Sequence, residues 1–339
     1  MKIAAIGRTD LLYNSILQLE KSGHSIVLII TSKAEQYQYE KKEADFSELA
    51  KKLDINFLLT EKLNSPQTHE LIRKTAPDIA ISVNWKMLIP HEFMDLFPYG
   101  ILNAHAGDLP RFKGNAVRNW ALVSGEESMS LTIHEMSVDL DAGPILLKKR
   151  CPIRSDTTIQ DLYRFVERQV PLLFIKAVSG LESGSIVPKK QSTRPDASLR
   201  CYPRLPVDSE INWKESAENI HRLVRASSEP FTGAYSYIEA EKITIWKAHV
   251  EVPQIKYLAS CGQVVGRRLK TGEVAVSTGK GFLIIEDAET KTHGRIKPSR
   301  IITSLRTRLG VSVTDEIMKL KRVIKNLKKE ISLLNKRRQ

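Results

Sequence analysis

The chain has 339 residues, 42% of them hydrophobic and 27% charged, and a formal net charge of +13 at pH 7. This length predicts about two domains, and the composition argues against intrinsically disordered, collagen-like and membrane-embedded proteins. The charge is concentrated at one end: residues 290–339 contain 15 Lys and Arg against 3 Asp and Glu, whereas residues 1–289 contain 37 against 36. Any nucleic-acid or membrane-surface role that the net charge indicates would therefore belong to the tail.

Short apolar runs alternate with helical stretches through the first half of the chain. This alternation is typical of a doubly wound α/β fold, because right-handed crossovers make the strands mostly parallel. The predicted strands are 2–6, 25–31, 55–59, 78–83, 101–104, 129–136 and 145–153. The predicted helices are 11–21, 44–53, 68–75 and 159–180. Together these elements predict a Rossmann-like domain at residues 1–188.

A change of composition follows this domain. Residues 189–209 concentrate Pro, Ser and basic residues, which predicts a linker. A helix is predicted at 215–226, and regularly spaced strands with turn residues between them then predict a small OB-like antiparallel β-barrel at residues 210–309. The predicted strands of this barrel are 234–239, 242–248, 262–268, 273–277 and 281–286.

Residues 310–339 form a basic segment with a heptad pattern. Its apolar residues recur at alternating intervals of four and three, with Ile at the a positions and mostly Leu at the d positions, which favours a two-stranded parallel coiled coil. These residues are Val313, Ile317, Leu320, Ile324, Leu327, Ile331 and Leu334. A homodimer through this helix and docking of the helix on the chain's own body both remain open.

The cysteines and the start of the chain indicate a compartment. Cys151, Cys201 and Cys261 are widely spaced and match neither a zinc cluster nor a disulfide framework, so a reducing compartment and no metal site are expected. The start lacks the long apolar run of a secretory signal, and the most apolar run, 25–30, is too short to cross a membrane. We expect a cytoplasmic protein without a transmembrane segment.

The segment 100–147 carries the most informative polar residues. Asn103 and His105 stand at i and i+2 of a predicted strand, so both point to one face near its carboxyl end, where open α/β sheets place their ligands. Asp141 follows in a loop, before an Ala-Gly step. An amide donor, an imidazole base and a carboxylate suit acyl transfer. His134 is expected to be a core or supporting histidine.

From these residues the chain resembles a known family. The string N-x-H-(x)3-L-P-(x)3-G, then W-A-L-x-x-G-E, T-I-H-x-M and D-x-D-A-G-P-I-L, resembles the formyltransferases that use 10-formyltetrahydrofolate. Two later phrases, at 227–237 and 243–248, are similar to the small C-terminal domain of the two-domain branch. Many relatives read H-x-S-L-L-P, whereas this chain has Gly107 and Asp108 after Ala106, which puts an acid beside the catalytic face.

The resemblance implies roles for particular residues. Asn103 would hydrogen-bond the formyl oxygen as it becomes an oxyanion, His105 would remove a proton from the attacking amine, and Asp141 would support His105. The cosubstrate 10-formyltetrahydrofolate would lie between two loops. The candidates to bind this cosubstrate are Asn84, Trp85, Lys86, Met87, Leu88, Val138, Asp139 and Leu140. The candidates to bind the substrate are Arg8, Thr9, Lys113 and Asn115. No Gly-rich dinucleotide-binding motif follows the first strand, so a dinucleotide cofactor is not expected.

The family admits three acceptors: glycinamide ribonucleotide, initiator methionyl-tRNA and a nucleotide-linked amino sugar. The length argues against the first, whose enzyme is usually a single domain. A tRNA-facing second domain should be basic, yet residues 207–289 contain 10 Lys and Arg against 12 Asp and Glu. The loop at 32–40 also lacks the Pro and Gly found in relatives that act on tRNA.

These observations favour the sugar branch of the family. The greatest similarity is to formyltransferases of UDP-linked 4-amino-arabinose, which implies lipopolysaccharide or O-antigen sugar biosynthesis. The predicted protein is therefore an N-formyltransferase of a nucleotide-linked amino sugar, and nucleic acid is not an expected partner. A methionyl-tRNA formyltransferase is the alternative. A protein that binds nucleic acid or a membrane surface through its basic tail is the alternative of another class.

Overall fold

The computed structural model describes residues 1–33, 42–239, 241–310 and 313–337. The chain forms two compact units, Met1–Arg204 and Leu205–Gln339. Most of the loop predicted at 32–40 lies outside the described residues, so the interpretation of that loop stays a prediction.

The first unit is built on a seven-stranded sheet. The described strands of the unit are β1 (Lys2–Gly7), β2 (Ser25–Thr31), β3 (Asn56–Leu59), β4 (Ile79–Val83), β5 (Ile101–His105), β6 (Lys113–Gly114), β7 (Ser128–Glu135), β8 (Ile145–Pro152) and β9 (Arg200–Cys201), and all but β6 and β9 belong to this sheet. The sheet order is β3-β2-β1-β4-β5-β7-β8, and the pairs among β1 to β5 are parallel whereas β7 and β8 run antiparallel. The predicted α/β class and mostly parallel sheet are confirmed.

Helices cover this sheet. They are α1 (Thr9–Lys21), α2 (Glu43–Leu53), α3 (Pro66–Thr75), α4 (His91–Met94), α5 (Val117–Val123) and α6 (Ile159–Glu182). Helix α1 buries Leu12, Ile16 and Leu19, whose spacing of four and three places them on one face. A capping box of Thr158 and Asp161 begins α6. The central strands β1 and β4 are buried on both faces, which explains their continuous apolar sequence.

Strands β6 and β9 form a separate two-stranded ribbon. They are parallel, and Lys113 is opposite Arg200. Strand β9 lies within the segment 189–209 that the composition predicts as a linker, so part of that segment is held against the first unit by backbone hydrogen bonds, including Lys113 N–H to the Leu199 carbonyl at 2.9 Å.

The second unit contains an antiparallel sheet, as predicted. Its described strands are β10 (Ala234–Ile238), β11 (Glu241–Glu251), β12 (Val264–Arg268), β13 (Glu273–Ser277), β14 (Phe282–Thr290) and β15 (Gly294–Ile296). The order is β10-β11-β14-β13-β12, and β15 pairs with β14. Its helices are α7 (Ala217–Ser227), α8 (Pro298–Ile301) and α9 (Val313–Arg337). Trp213 packs in the core of this unit, and its indole N–H donates to Ser236 Oγ at 2.8 Å.

Helix α9 confirms the predicted C-terminal helix. Five of its heptad residues have described side chains, and each is about half exposed: Ile317, Leu320, Ile324, Leu327 and Ile331. Within the described ranges, no helix is long and apolar enough to cross a membrane.

Candidate active site

Strand β5 positions the first two predicted catalytic residues. β5 lies between β4 and β7, so Asn103 is opposite Ser82 on one side and His134 on the other, and His105 is opposite Thr132. Residues i and i+2 of a strand share a face. Asn103 and His105 therefore project together at the carboxyl end of a central strand, where Asp141 joins them.

Asn103 and His134 form a hydrogen-bonded pair. The amide nitrogen Nδ2 of Asn103 lies 3.2 Å from Nε2 of His134, and Nδ1 of His134 lies 2.7 Å from the carbonyl oxygen of Glu135. Because a carbonyl only accepts, Nδ1 carries the proton and Nε2 accepts from Asn103. Burial and the nearby His105 lower the pKa of His134 to about 4. His134 is thus neutral near pH 7, and one of the two Asn103 Nδ2 hydrogens remains for a ligand.

His105 is held by a hydrogen bond at one ring nitrogen and faces Asp141 with the other. Its Nε2 lies 2.6 Å from the carbonyl oxygen of Phe112, so Nε2 is the protonated nitrogen, and its Nδ1 lies 3.6 Å from Asp141 Oδ2. The side chains of His105 and Asp141 are 9% and 10% exposed. Phe112 has φ +57°, an uncommon value for a bulky residue that turns the chain here. Nδ1 is left as the basic atom, with a carboxylate beside it.

The loop that carries Asp141 is fixed on two sides. Asp141 Oδ2 accepts the backbone N–H of Gly114 at 2.8 Å, and Gln191 Nε2 donates to the carbonyl oxygens of Asp141 and Gly143, each at 2.8 Å. Asp141 itself has φ +52°. A side chain at Gly143 would overlap the Glu135 carbonyl, so glycine is required there. The carboxylate therefore has a defined orientation toward His105.

The structure explains the departure at Gly107 and Asp108. A Cβ atom on Gly107 would lie 2.5 Å from His105 Nε2 and would also collide with the Phe112 carbonyl, so a serine does not fit this conformation. The acid does not stay unpaired, because Lys148 Nζ lies 2.8 Å from Asp108 Oδ1 and also donates to the Leu109 carbonyl. The positive charge of Lys148 therefore offsets the negative charge of Asp108 and reduces its electrostatic effect on the His105 imidazole.

The loops after β1 and β4 meet at the same edge of the sheet. Arg8 Nε donates to the Asn84 carbonyl oxygen at 3.2 Å, and Asn84 Nδ2 donates to Thr9 Oγ1 at 3.1 Å. Thr9 and Asn84 have φ of +74° and +53°. Such backbone strain is concentrated at functional sites in proteins. Two substrate candidates and one cosubstrate candidate are thus in direct contact.

The remaining cosubstrate candidates divide into buried and exposed groups. Trp85 packs against the core under the sheet edge, and Met136 packs against that same core. Met87 is 56% exposed, Leu88 72% and Val138 64%. The two loops thus begin at one core cluster and present apolar side chains to solvent.

Two candidates in these loops have ordinary local partners, and a third is half-buried. Lys86 Nζ pairs with Glu61 at 2.6 Å, and the Asp139 carbonyl accepts from Ser137 Oγ at 2.9 Å. Leu140 is half-buried. The other substrate candidates, Lys113 and Asn115, flank Gly114, whose N–H binds Asp141.

Comparison with known proteins gives the family. Residues 1–178 match the family described as Formyl transferase, and residues 206–306 match Formyl transferase, C-terminal domain. The chain belongs to the formyl transferase family. A methionyl-tRNA formyltransferase from Citrifermentans bemidjiense (strain ATCC BAA-1014 / DSM 16622 / JCM 12645 / Bem) is 26% identical over 316 residues, which cover 91% of this chain and 95% of that protein.

Two solved structures share the fold. The sugar 3N-formyl transferase WlaRD, crystallised in the presence of dTDP and 5-N-formyl-THF, has a TM-score of 0.60 at 20% identity and covers 86% of this chain and 98% of its own. A variant of HypX from Aquifex aeolicus has a TM-score of 0.57 at 19% identity and covers 89% of this chain but 47% of its own. The chain thus spans about half the length of HypX.

Some contacts of this candidate site were not predicted. Gln191 lies 50 residues beyond Asp141, inside a segment whose composition predicts a linker, and only the fold brings it to the loop. His105 Nε2 contacts the backbone carbonyl of Phe112, so the residue type at position 112 does not indicate this contact. His134 has the supporting position expected of it, yet its contact with Asn103 follows from the pairing register of β5 and β7.

The second unit holds a separate group of ligating side chains. Ligand atoms of His249, Glu273 and Glu286 lie within 4.8 Å of one another. Glu286 already pairs with Lys247 at 2.8 Å, and Glu273 with Arg268 at 3.3 Å. These cations neutralise the carboxylates, so we assign no metal to this group.

Proposed function

We propose that this protein moves the formyl group of 10-formyltetrahydrofolate to the primary amine of a nucleotide-linked amino sugar. The observation that carries the proposal is the meeting of Asn103, His105 and Asp141 at the end of β5, where the amide of Asn103 and the imidazole of His105 share one face of the strand. Formyl transfer needs an oxyanion donor and a proton acceptor. Asn103 and His105 are the residues that would supply them.

The reaction proceeds without a covalent enzyme intermediate. The amine nitrogen attacks the formyl carbon, and the carbonyl oxygen gains negative charge that the second Nδ2 hydrogen of Asn103 stabilises. Nδ1 of His105 accepts a proton from the amine, and Asp141 stabilises the resulting imidazolium. The bond between the formyl carbon and N10 of the folate breaks, and the departing nitrogen takes up a proton. The products are the formamide and tetrahydrofolate.

The cosubstrate assignment rests on the loops and on a related structure. Met87, Leu88 and Val138 present exposed apolar surface beside the polar catalytic groups. WlaRD, which shares the fold over 86% of this chain, was crystallised with 5-N-formyl-THF. A folate between the two loops would place its formyl group toward β5.

A nucleotide-linked amino sugar is supported as the acceptor by two observations. WlaRD is a sugar formyl transferase with dTDP present in its crystal, and this chain covers 98% of its length. Residues 207–289 of the second unit contain 10 Lys and Arg against 12 Asp and Glu, so this stretch does not supply the basic surface that binding of tRNA phosphates needs. The unpaired thiols of Cys151, Cys201 and Cys261 support a cytoplasmic location.

Methionyl-tRNA is the second candidate acceptor. The methionyl-tRNA formyltransferase of Citrifermentans bemidjiense aligns with 91% of this chain, and its 26% identity exceeds that of the sugar enzyme WlaRD. If methionyl-tRNA is the acceptor, we expect its phosphates to bind to the first unit or to the basic tail.

A direct assay separates the two acceptors. The full-length protein is incubated with 10-formyltetrahydrofolate and, in parallel, UDP- and dTDP-linked amino sugars or methionyl-tRNA, and tetrahydrofolate release is followed with mass spectrometry of the acceptor. We expect formylated sugar and no turnover above background with tRNA. Turnover with methionyl-tRNA alone contradicts the sugar assignment. A His105→Ala sample provides the background rate.

A further inference from the structure

The ribbon of β6 and β9 borders the candidate active site. Lys113 and Arg200 are paired in register on its two strands, with backbone hydrogen bonds from Lys113 N–H to Leu199 and from Asn115 N–H to Cys201 at 2.9 and 3.1 Å. Side chains of residues paired in register leave a ribbon on the same face. The backbones of two cationic residues are therefore paired beside Gly114.

Lys113 and Arg200 differ from the neighbouring cations in their ionic contacts. Neither Lys113 nor Arg200 forms an ion pair with a carboxylate in the described part of the chain, whereas the neighbouring Arg111 and Lys148 pair with Glu126 and Asp108. Like charges directly opposite each other destabilise strand pairing. An arrangement that keeps both cations is explained when an anion binds between them.

The cationic pair lies close to the reacting groups. Gly114 N–H donates to Asp141 Oδ2 at 2.8 Å, and a Cβ atom placed on Gly114 would lie 3.2 Å from Arg200 Nε. The Arg200 side chain thus crosses Gly114 at the point where Gly114 holds the carboxylate beside His105. An anion bound here would lie beside the candidate catalytic residues.

An exposed aromatic ring completes this surface. Tyr202 is 67% exposed, and the Arg200 guanidinium lies 5.7 Å from the centre of its ring. The Tyr202 carbonyl accepts the indole N–H of Trp120 at 2.8 Å, so its backbone is fixed while the ring faces solvent. Aromatic rings beside guanidinium groups are typical stacking surfaces for nucleobases.

We propose that Lys113 and Arg200 bind the phosphates of a nucleoside diphosphate, and that Tyr202 stacks on its base. The bound group is the nucleotide part of the acceptor, which leaves the amino sugar to extend past Gly114 toward His105. This inference rests on the proposed function and assigns the part of the site that recognises the substrate class. Arg200 and Tyr202 come from the segment whose composition predicts a linker.

Calorimetric titration of the full-length protein with UDP, dTDP and inorganic pyrophosphate tests the subsite. Wild type is compared with Lys113→Gln, Arg200→Gln and Tyr202→Ala, and Lys149→Gln removes an exposed cation elsewhere in the first unit as the matched control. A charge-assisted hydrogen bond is worth about 1.5–3 kcal/mol, so each cation variant should bind the nucleotide about ten-fold more weakly or worse. Tyr202→Ala should weaken nucleotide binding and leave pyrophosphate binding unchanged.

Steady-state kinetics with the amino-sugar nucleotide provide the second readout. The cation variants should raise the KM for the acceptor and leave kcat and the KM for 10-formyltetrahydrofolate within about two-fold, and Lys149→Gln should match wild type. Arg200→Lys should recover part of the affinity. Unchanged unfolding midpoints show that the variants fold.

The possible failures are distinguishable. A wild-type protein that formylates the sugar nucleotide while the variants bind UDP or dTDP as tightly as wild type overturns the subsite and leaves the proposed function intact. A wild-type protein that binds neither nucleotide and formylates only methionyl-tRNA overturns both. A raised KM for tRNA in the variants, with no nucleotide binding, assigns the cations to tRNA phosphates and contradicts the proposal.

Discussion

Asn103 and His134 face each other across β5 and β7, and 3.2 Å separates the amide nitrogen of Asn103 from Nε2 of His134. The second ring nitrogen of His134 donates to the Glu135 carbonyl, so the histidine can accept from Asn103 only while it is neutral. A buried neutral imidazole therefore fixes the orientation of the amide. The free hydrogen of that amide is the oxyanion donor in the proposed reaction.

Loss of the Asn103 amide should lower the rate of formyl transfer. Removal of one oxyanion donor costs about 10²- to 10³-fold in kcat in acyl-transfer enzymes, and we expect a loss of that order for Asn103→Ala. Steady-state assays with the acceptor that wild type uses measure it. Asn56→Ala, which removes an exposed amide on β3, is the control and should keep the wild-type kcat. A kcat for Asn103→Ala within three-fold of wild type would refute the assigned role.

The pair of His105 and Asp141 should control proton transfer. His105→Ala removes the base and should reduce kcat by about 10²- to 10⁴-fold. Asp141→Asn keeps an oxygen to accept the Gly114 N–H but removes the charge that stabilises the imidazolium, so kcat should fall while the fold persists. Circular dichroism checks the fold, and the exposed Asp156→Asn provides the charge control. Full activity of Asp141→Asn would show that its charge is not needed.

Activity should require glycine at position 107, because a larger side chain would collide with the His105 imidazole. Gly107→Ala places a methyl group against His105 Nε2 and the Phe112 carbonyl, so the ring must move and kcat should drop by at least about ten-fold. Gly266→Ala is the matched control, because its nearest neighbour would be a methyl group at 3.5 Å. Equal kcat values for the two variants would mean that the His105 position does not depend on the space at residue 107.

His134 should make stability depend on pH. Its pKa is about 4 in the folded chain, below the ordinary value of 6.5, so the unfolded chain binds more protons between these two pH values. The free energy of unfolding should therefore fall as pH drops from 6.5 to 4, and His134 alone should account for on the order of 2 kcal/mol of the loss between pH 7 and pH 5. Urea unfolding at the two pH values measures this change.

A variant assigns the pH dependence to its source. His134→Gln removes this titration, so its free energy of unfolding should change less between pH 7 and pH 5 than that of wild type. Burial also lowers the pKa of His221 to about 4, so part of the dependence should persist in this variant. A wild-type-sized change in His134→Gln would assign the whole effect to other groups.

The sequence predicted the sheet well, because continuous apolar runs such as that of β4 mark strands buried on both faces. The sequence also predicts that Asn103 and His105 share a strand end, and the resemblance implies that Asp141 joins them. Gln191, Arg200 and Tyr202 were not assigned to the site. Their segment is polar and rich in Pro, and a two-residue strand such as β9 is too short to leave a periodic pattern in the sequence.

Helix α9 presents a half-exposed apolar seam that a second copy of this chain would cover. Ile317, Ile324 and Ile331 alternate with Leu320 and Leu327, and this arrangement of a and d residues favours a parallel dimer. We expect wild type to sediment as a dimer and the chain without residues 311–339 to sediment as a monomer with unchanged kcat. The double variant Ile324→Asn with Leu327→Asn should also be monomeric. The double variant Lys325→Gln with Lys329→Gln, whose changes lie outside the seam, should remain dimeric. An identical mass for wild type and the truncated chain, corrected for its length, would show that the seam does not mediate self-association.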